Sequence, residues 1–293
     1  MMTTTIANSG RKVNEALPTG GFFAIISKIK EAEAGETMNR VDDYIAVFDS
    51  GVGGISVLRQ LRQRLPQEKY LYFGDSANAP YGTKSAGQVR ELTLAAVERL
   101  MERGLKALVV ACNTATSAAI ETLREKYPGF ILIGVEPALK PAAEHFPRGR
   151  IGVMATPLTL REEKFSHLLH RFDEHRQILP IPAPGLVELV EQGKANSPES
   201  RALLESLLSP YAGRLDALVL GCTHYPFAKP TIAQILGSGT ELLDGGPGTA
   251  RETQRRLASA GLLRQGNGDL IIENSLHSEA LLSLSALLAG QAE

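Results

Sequence analysis

An α/β fold of two pseudo-symmetric parallel-sheet domains, with the functional site in the cleft between them, is what this 293-residue chain predicts. Three observations carry that expectation. From Tyr44 onward, short β-branched runs alternate with amphipathic helical stretches, the rhythm that builds parallel sheets. Most of those runs are apolar without polar alternation, as in strands covered on both faces. Finally, the order of elements repeats. "ALVVACNTA" at 107–115 matches "ALVLGCTHY" at 217–225, and the two cysteines, Cys112 and Cys222, stand 110 positions apart. Aligning Ile45 with Ile151 gives a similar offset of 106. One half has been duplicated, unlike the short period of a solenoid.

Taken in order, the strands are expected at "YIAVFDS", "KYLYFGD", "ALVVACN", "ILIGVEP", "RIGVMAT", "QILPIPA", "ALVLGCT" and "TELLDGG". Helices fall between them. In "GQVRELTLAAVERLMERG", Val89, Leu92, Ala96 and Leu100 share a face, with Glu91, Glu98 and Glu102 largely off it. In such folds the loops at the strand C-termini carry the chemistry.

Composition narrows the class. With 31 basic and 32 acidic residues the net charge is −1, which argues against a nucleic-acid partner. No apolar run approaches the roughly 18 residues of a membrane helix. "GGFFAIISKIK" at 20–30 has the wrong flanks for a signal peptide. Two cysteines in 293 residues do not make an oxidised secreted scaffold, so a cytoplasmic location is expected. Residues 1–43 read as an N-terminal extension with one short helix around Phe22–Ala34, and Met38 lies just before the first strand.

A thiol where a parallel strand enters a helix faces that helix's N–H groups, which favour the thiolate and are expected to lower its pKa. Behind Cys112 come Asn113, Thr114, Thr116 and Ser117, able to cap the helix or hold a carboxylate. Behind Cys222 come Thr223 and His224, and an imidazole two residues from a thiol can shift its ionisation. A single such cysteine is usually a small buried hydrophobe; two matched ones point to reactivity. Paired thiols can be nucleophile and resolving thiol, nucleophile and acid, or acid and base on opposite faces of a flat intermediate. The duplication favours the last, because racemisation has near mirror-image forward and reverse steps. In "FDSGVGG" the glycine-rich turn lacks the Walker lysine and the full dinucleotide pattern. A tight turn in which Asp49 caps the next helix is its plain alternative. "HLLHRFDEH" gathers His167, His170, Asp173 and His175. Their spacing and charge suit a solvated helix better than a metal site.

At this point the motifs "FDSGVGG" (48–54), "YFGDSANAPYGTKS" (72–85), "VVACNTATSA" (109–118) and "VLGCTHYPF" (219–227) resemble those of the bacterial glutamate racemases, in the family's order. "GVEPALKPAA" (134–143) looks like the proteobacterial version. The resemblance implies a cofactor- and metal-independent two-base racemase that supplies D-glutamate for peptidoglycan. Cys112 would exchange the α-proton of D-glutamate and Cys222 that of L-glutamate. Asp49 would stand beside the first thiol, His224 beside the second, and Glu191 near His224. Substrate contacts would come from Asp49, Ser50, Tyr81, Gly82, Asn113, Thr114, Thr223 and His224. Ala183-Pro184 stands where the family often has Cys-Pro, which weakens the carry-over at Glu191. Asp244-Gly245-Gly246 reads as a crossover between domains. On the family's pattern, residues 44–136 with 247–293 form the first domain and 137–246 the second. The resemblance also allows a homodimer and activation by a peptidoglycan precursor. Related readings are a racemase or isomerase acting on aspartate, hydantoin or maleate; a two-lobed binding module is the non-enzymatic rival.

Overall fold

The computed structural model describes residues 41–161 and 177–290. All eight expected strands form, and a ninth joins them. The first sheet contains β1 (Tyr44–Asp49), β2 (Lys69–Gly74), β3 (Leu105–Val110), β4 (Ile131–Gly134) and β9 (Asp269–Asn274), in the order β4-β3-β1-β2-β9. The second contains β5 (Arg150–Ala155), β6 (Gln177–Pro182), β7 (Ala217–Leu220) and β8 (Glu241–Asp244), in the order β6-β5-β7-β8. Every pairing is parallel.

Strand for strand, β5 to β8 occupy the places of β1 to β4, so the repeat read from the two cysteine segments is a repeat of topology. Cys112 follows β3 and Cys222 follows β7. β9 has no counterpart. Its sequence, "DLIIEN", holds only three apolar residues between charged and amide ones, because an edge strand needs burial only against β2.

β1 shows why apolar runs become central strands. Successive side chains leave opposite faces of a strand: Ile45 and Val47 enter one core, Ala46 and Phe48 the other, all fully buried. Phe48 stacks on Phe73 with ring centres 6.5 Å apart. The helix Ala86–Met101 begins at a capping box, with Gln88 N–H donating to Ser85 Oγ and Ser85 N–H to Gln88 Oε1. It buries Val89, Ala96 and Leu100 and leaves Glu91, Glu98 and Glu102 exposed.

At the N-terminal ends of the first sheet's strands, Lys106 is fully buried and lies 2.5 Å from Glu68. Its ammonium also donates to the carbonyls of Val41 and Leu262 at 2.7 and 3.0 Å. One side chain thus ties together the segments preceding β1, β2 and β9, at the opposite edge of the sheet from the thiols. No helix among the described residues is long and apolar enough to cross a membrane. The expected helix around Phe22–Ala34 and the cluster His167, His170, Asp173 and His175 lie outside the described residues.

Candidate active site

The strand C-termini of both sheets converge, and the site is built where they meet. After β1 the chain makes the turn Ser50–Gly54 and enters the helix Ile55–Arg64. Asp49 does not cap that helix, whose first cap is Gly54 with no side-chain partner. Its carboxylate instead accepts the Gly51 N–H at 2.8 Å and, from the second sheet's half, the Thr223 hydroxyl at 3.0 Å. A methyl group on Gly51 would overlap the Glu191 carboxylate, and one on Gly53 would overlap the His224 ring. The glycines leave space that side chains from the other half occupy.

Each cysteine sits just beyond its strand. Cys112 caps the helix Asn113–Lys126, its sulfur accepting the Ala115 N–H at 3.5 Å, with Ser50 Oγ at 3.6 Å. Cys222 Sγ lies 3.6 Å from His224 Nδ1, and His224 Nε2 lies 2.6 Å from Glu191 Oε1. Glu191 ends the short helix Leu186–Glu191 and reaches into the other half, where the same oxygen accepts the Val52 N–H at 2.7 Å. Ala183-Pro184 does not displace it: Ala183 is buried, with its carbonyl accepting the Tyr225 hydroxyl.

The two thiols stand in different electrostatic settings. Burial pushes the Cys112 thiol up to about 12, and the Asp49 charge pushes the same way against the Ala115 N–H and the Ser50 hydroxyl. The expected lowering by the helix terminus is therefore overturned. One amide and one hydroxyl do not replace the hydration lost by a thiolate only 6% exposed. At His224, burial opposes the charged ring, yet its hydrogen bonds to Cys222 and Glu191 outweigh it and hold the imidazole well above its ordinary range. The imidazolium then donates from both nitrogens, to Glu191 and to the Cys222 sulfur. Burial also raises Asp49, against the pull of His224 and the Gly51 N–H.

The remaining expected residues line the same junction. Asn113 is buried, and its Oδ1 has no hydrogen-bond partner. Thr114 Oγ1 lies 3.1 Å from Thr159 Oγ1 and 3.4 Å from Thr156 Oγ1, both on the second half. Gly82 packs against Thr156, where a Cβ would collide. Tyr81 is buried, but its hydroxyl donates to Asp75 Oδ2 at 2.7 Å, so its phenol is already committed to its own loop. Thr156 and Thr159 escaped the sequence reading. The 106-residue offset that pairs Ile45 with Ile151 also pairs Ser50 with Thr156, and that alignment would have found the first of them. Among the described residues, no group of three or more His, Cys, Asp or Glu side chains is gathered as a metal site.

The two halves are joined directly across the expected cleft. Besides the contacts above, Ser56 Oγ donates to the Thr223 carbonyl across the junction at 2.8 Å. The void bordered by Cys222, Asn113, Ser56 and Gly245 measures about 10 Å3, room for about one water. Polar groups of the two halves bond one another here, while Asn113 Oδ1 stays without a protein partner.

Residues 55–253 match the family model described as Asp/Glu/Hydantoin racemase. The chain is 47% identical over 247 residues to a glutamate racemase of Clostridium perfringens, covering 83% of this chain and 95% of that one. Its structure resembles that of the Francisella tularensis glutamate racemase in complex with D-glutamate, with a TM-score of 0.76, 27% identity and coverage of 86% and 95%. It also resembles the Escherichia coli glutamate racemase in complex with L-glutamate and the activator UDP-MurNAc-Ala, with a TM-score of 0.73, 35% identity and coverage of 84% and 95%.

Proposed function

As a member of the Asp/Glu/hydantoin racemase family, among its glutamate racemases, the chain is a racemase, and we propose that it interconverts L- and D-glutamate by passing the α-proton between Cys222 and Cys112. The observation that carries this reading is the pair of thiols at equivalent strand ends, Cys222 facing His224 and Cys112 facing Ser50 and the Ala115 N–H. In the L-to-D direction Cys222, as thiolate, removes the α-proton from one face. The Cys112 thiol then delivers its own proton to the opposite face. The reverse reaction exchanges the roles, with no cofactor and no metal.

The α-hydrogen of an amino acid is far less acidic than a thiol. The carbanion therefore needs fixed donors around the carboxylate in a site closed to water. Ser50, Thr114 and Thr223 offer hydroxyls there, and the unpartnered Asn113 Oδ1 suits the α-ammonium group. The Asp49 charge raises the Cys112 thiol, His224 faces the Cys222 sulfur, and Glu191 holds His224. Ser56, Thr114 and Val52 bond across the junction to Thr223, Thr159 and Glu191; the two halves part to admit glutamate and close over it. We take residues 44–136 with 247–293 as one moving body and 137–246 as the other, hinged at the crossovers beyond β4 and β8.

The product serves peptidoglycan synthesis in the cytoplasm on this reading. A precursor of the kind bound to the E. coli neighbour is the regulator we infer. A cavity of about 660 Å3 at the crossovers is lined by Arg124, Lys140, Lys229 and Arg251. It draws residues from both halves, so an anion bound there would bias their closure.

Purified protein given D-glutamate in D2O without added cofactor is expected to lose its optical signal and to place deuterium at the α-carbon of the L product. Cys112→Ser and Cys222→Ser should each slow this by about a thousand-fold or more. Wild-type rates in Cys222→Ser would end the two-base reading. Turnover of aspartate or a hydantoin in place of glutamate would keep the mechanism and move the substrate.

A further inference from the structure

Tyr72 lies in the middle of β2, is 1% exposed and touches neither thiol in any hydrogen bond. Its hydroxyl donates to the Gly51 carbonyl at 2.7 Å. That carbonyl belongs to the same peptide unit as the Val52 N–H, and a peptide unit is rigid and planar. Its other end donates to Glu191 Oε1 at 2.7 Å, and Glu191 holds His224 at 2.6 Å, whose other nitrogen faces Cys222. Gly74 leaves the room for this carbonyl: a Cβ there would collide with the Gly51 oxygen.

We propose that Tyr72 is a positioning residue for the Cys222 half of the reaction: by fixing the Gly51–Val52 peptide plane it aims the Val52 N–H at Glu191 and so orients His224 on the second thiol. A hydrogen bond that polarises a carbonyl also strengthens the N–H of the same amide as a donor. The link runs from the first sheet to a thiol on the second, and it is complete only when the halves are closed. The hydrogen bonds that Cys112 itself shares, with Ser50 and Ala115, stay within its own half. Burial keeps the Tyr72 phenol well above its ordinary range, with the Asp49 and Glu191 charges adding to it; the hydroxyl therefore stays a donor throughout the working range.

This inference rests on the racemase reading, and the test separates the two. Wild-type protein that leaves both glutamate enantiomers unchanged overturns the reading, and the inference with it, before any variant is made. In an active enzyme, Tyr72→Phe is expected to lower kcat by about ten-fold with little change in KM. Glu191→Gln should lower kcat as well, and adding Tyr72→Phe to it should cost little more, because both act through one chain of contacts. The primary isotope effect with α-deuterated L-glutamate should grow in Tyr72→Phe, and that with α-deuterated D-glutamate should shrink, because only the Cys222 proton transfer is slowed. Multiplicative losses in the double variant, or equal changes in the two isotope effects, overturn the proposal. Should Tyr72→Phe fail to fold, 3-fluorotyrosine at position 72 keeps the phenol and its packing. It must still shift the two isotope effects unequally for the inference to stand.

Discussion

His224 Nε2 and Glu191 Oε1 are 2.6 Å apart, and the carboxylate that holds this imidazole is anchored on the opposite half of the molecule through the Val52 N–H. The environment of the second thiol therefore draws on both halves. An open molecule keeps Cys222 and His224 together on one loop but loses the amide that fixes Glu191.

Gly51→Ala tests that geometry directly. The new methyl group would meet the far end of the Glu191 side chain, which can swing aside, so the protein should fold with little loss of thermal stability. The carboxylate would then leave His224, and kcat should fall by about ten- to a hundred-fold. A stable variant with wild-type kcat would show that Glu191 is not needed where it sits.

His224→Asn removes the imidazolium from Cys222. Enantiomers have equal free energy, so kcat/KM must fall equally in the two directions, by about a hundred-fold. The asymmetry appears in the isotope effects: the one on α-deuterated L-glutamate grows and the one on the D enantiomer shrinks. The reverse pattern would exchange the roles assigned to the two thiols.

Stability should decline with rising pH. His224, Asp49 and Cys112 are all raised in the folded protein, so the folded state binds more protons than the unfolded chain. The His224 contribution is whole below its ordinary 6.5 and is lost as pH climbs through the raised value. The Cys112 contribution is whole below 9.0 and is lost on the way to about 12. Urea midpoints from pH 6 upward should fall, less steeply at first in His224→Asn. A midpoint that rises with pH would contradict these signs.

Thr159→Val removes the hydroxyl that joins Thr114 to Thr156 across the junction. The loss of one buried hydrogen bond should shift the closed-to-open balance by roughly three- to ten-fold toward open. Cys112 and Cys222 are 6% and 7% exposed when closed, so iodoacetamide should alkylate both faster by a similar factor. Unchanged alkylation would mean that these threonines do not latch the halves.

Lys106→Met strands the buried Glu68 carboxylate. The cost should be about 3–5 kcal/mol in chemical denaturation. Lys106→Met with Glu68→Gln should cost less, since no charge is left unpaired. Equal losses would show that the ammonium's carbonyl contacts, not the ion pair, stabilise this edge of the sheet.

The repeat itself was legible because each element states its environment locally. A run such as Ile45–Phe48 is apolar on both faces and so must be a covered parallel strand. Both cysteines, with Asn113-Thr114 and Thr223-His224 behind them, stood at matched strand ends in the sequence. β9 was not legible, because an edge strand carries the polar residues of a loop. Tyr72 was hidden too, since in an apolar strand it reads only as a large buried side chain.

Local sequence thus determined the strands, the duplicated topology and which side chains could take part in chemistry. Tertiary structure decided what those side chains do to one another. Gly51 and Gly53 leave space for Glu191 and His224, Asp49 is a partner of Thr223 across the junction, and burial raises the Cys112 thiol. Strands and turns are fixed by neighbours within a few residues, and periodicity records them. Desolvation and cross-domain hydrogen bonds depend on residues from 42 to 174 positions apart, and only bringing the two halves together sets those distances.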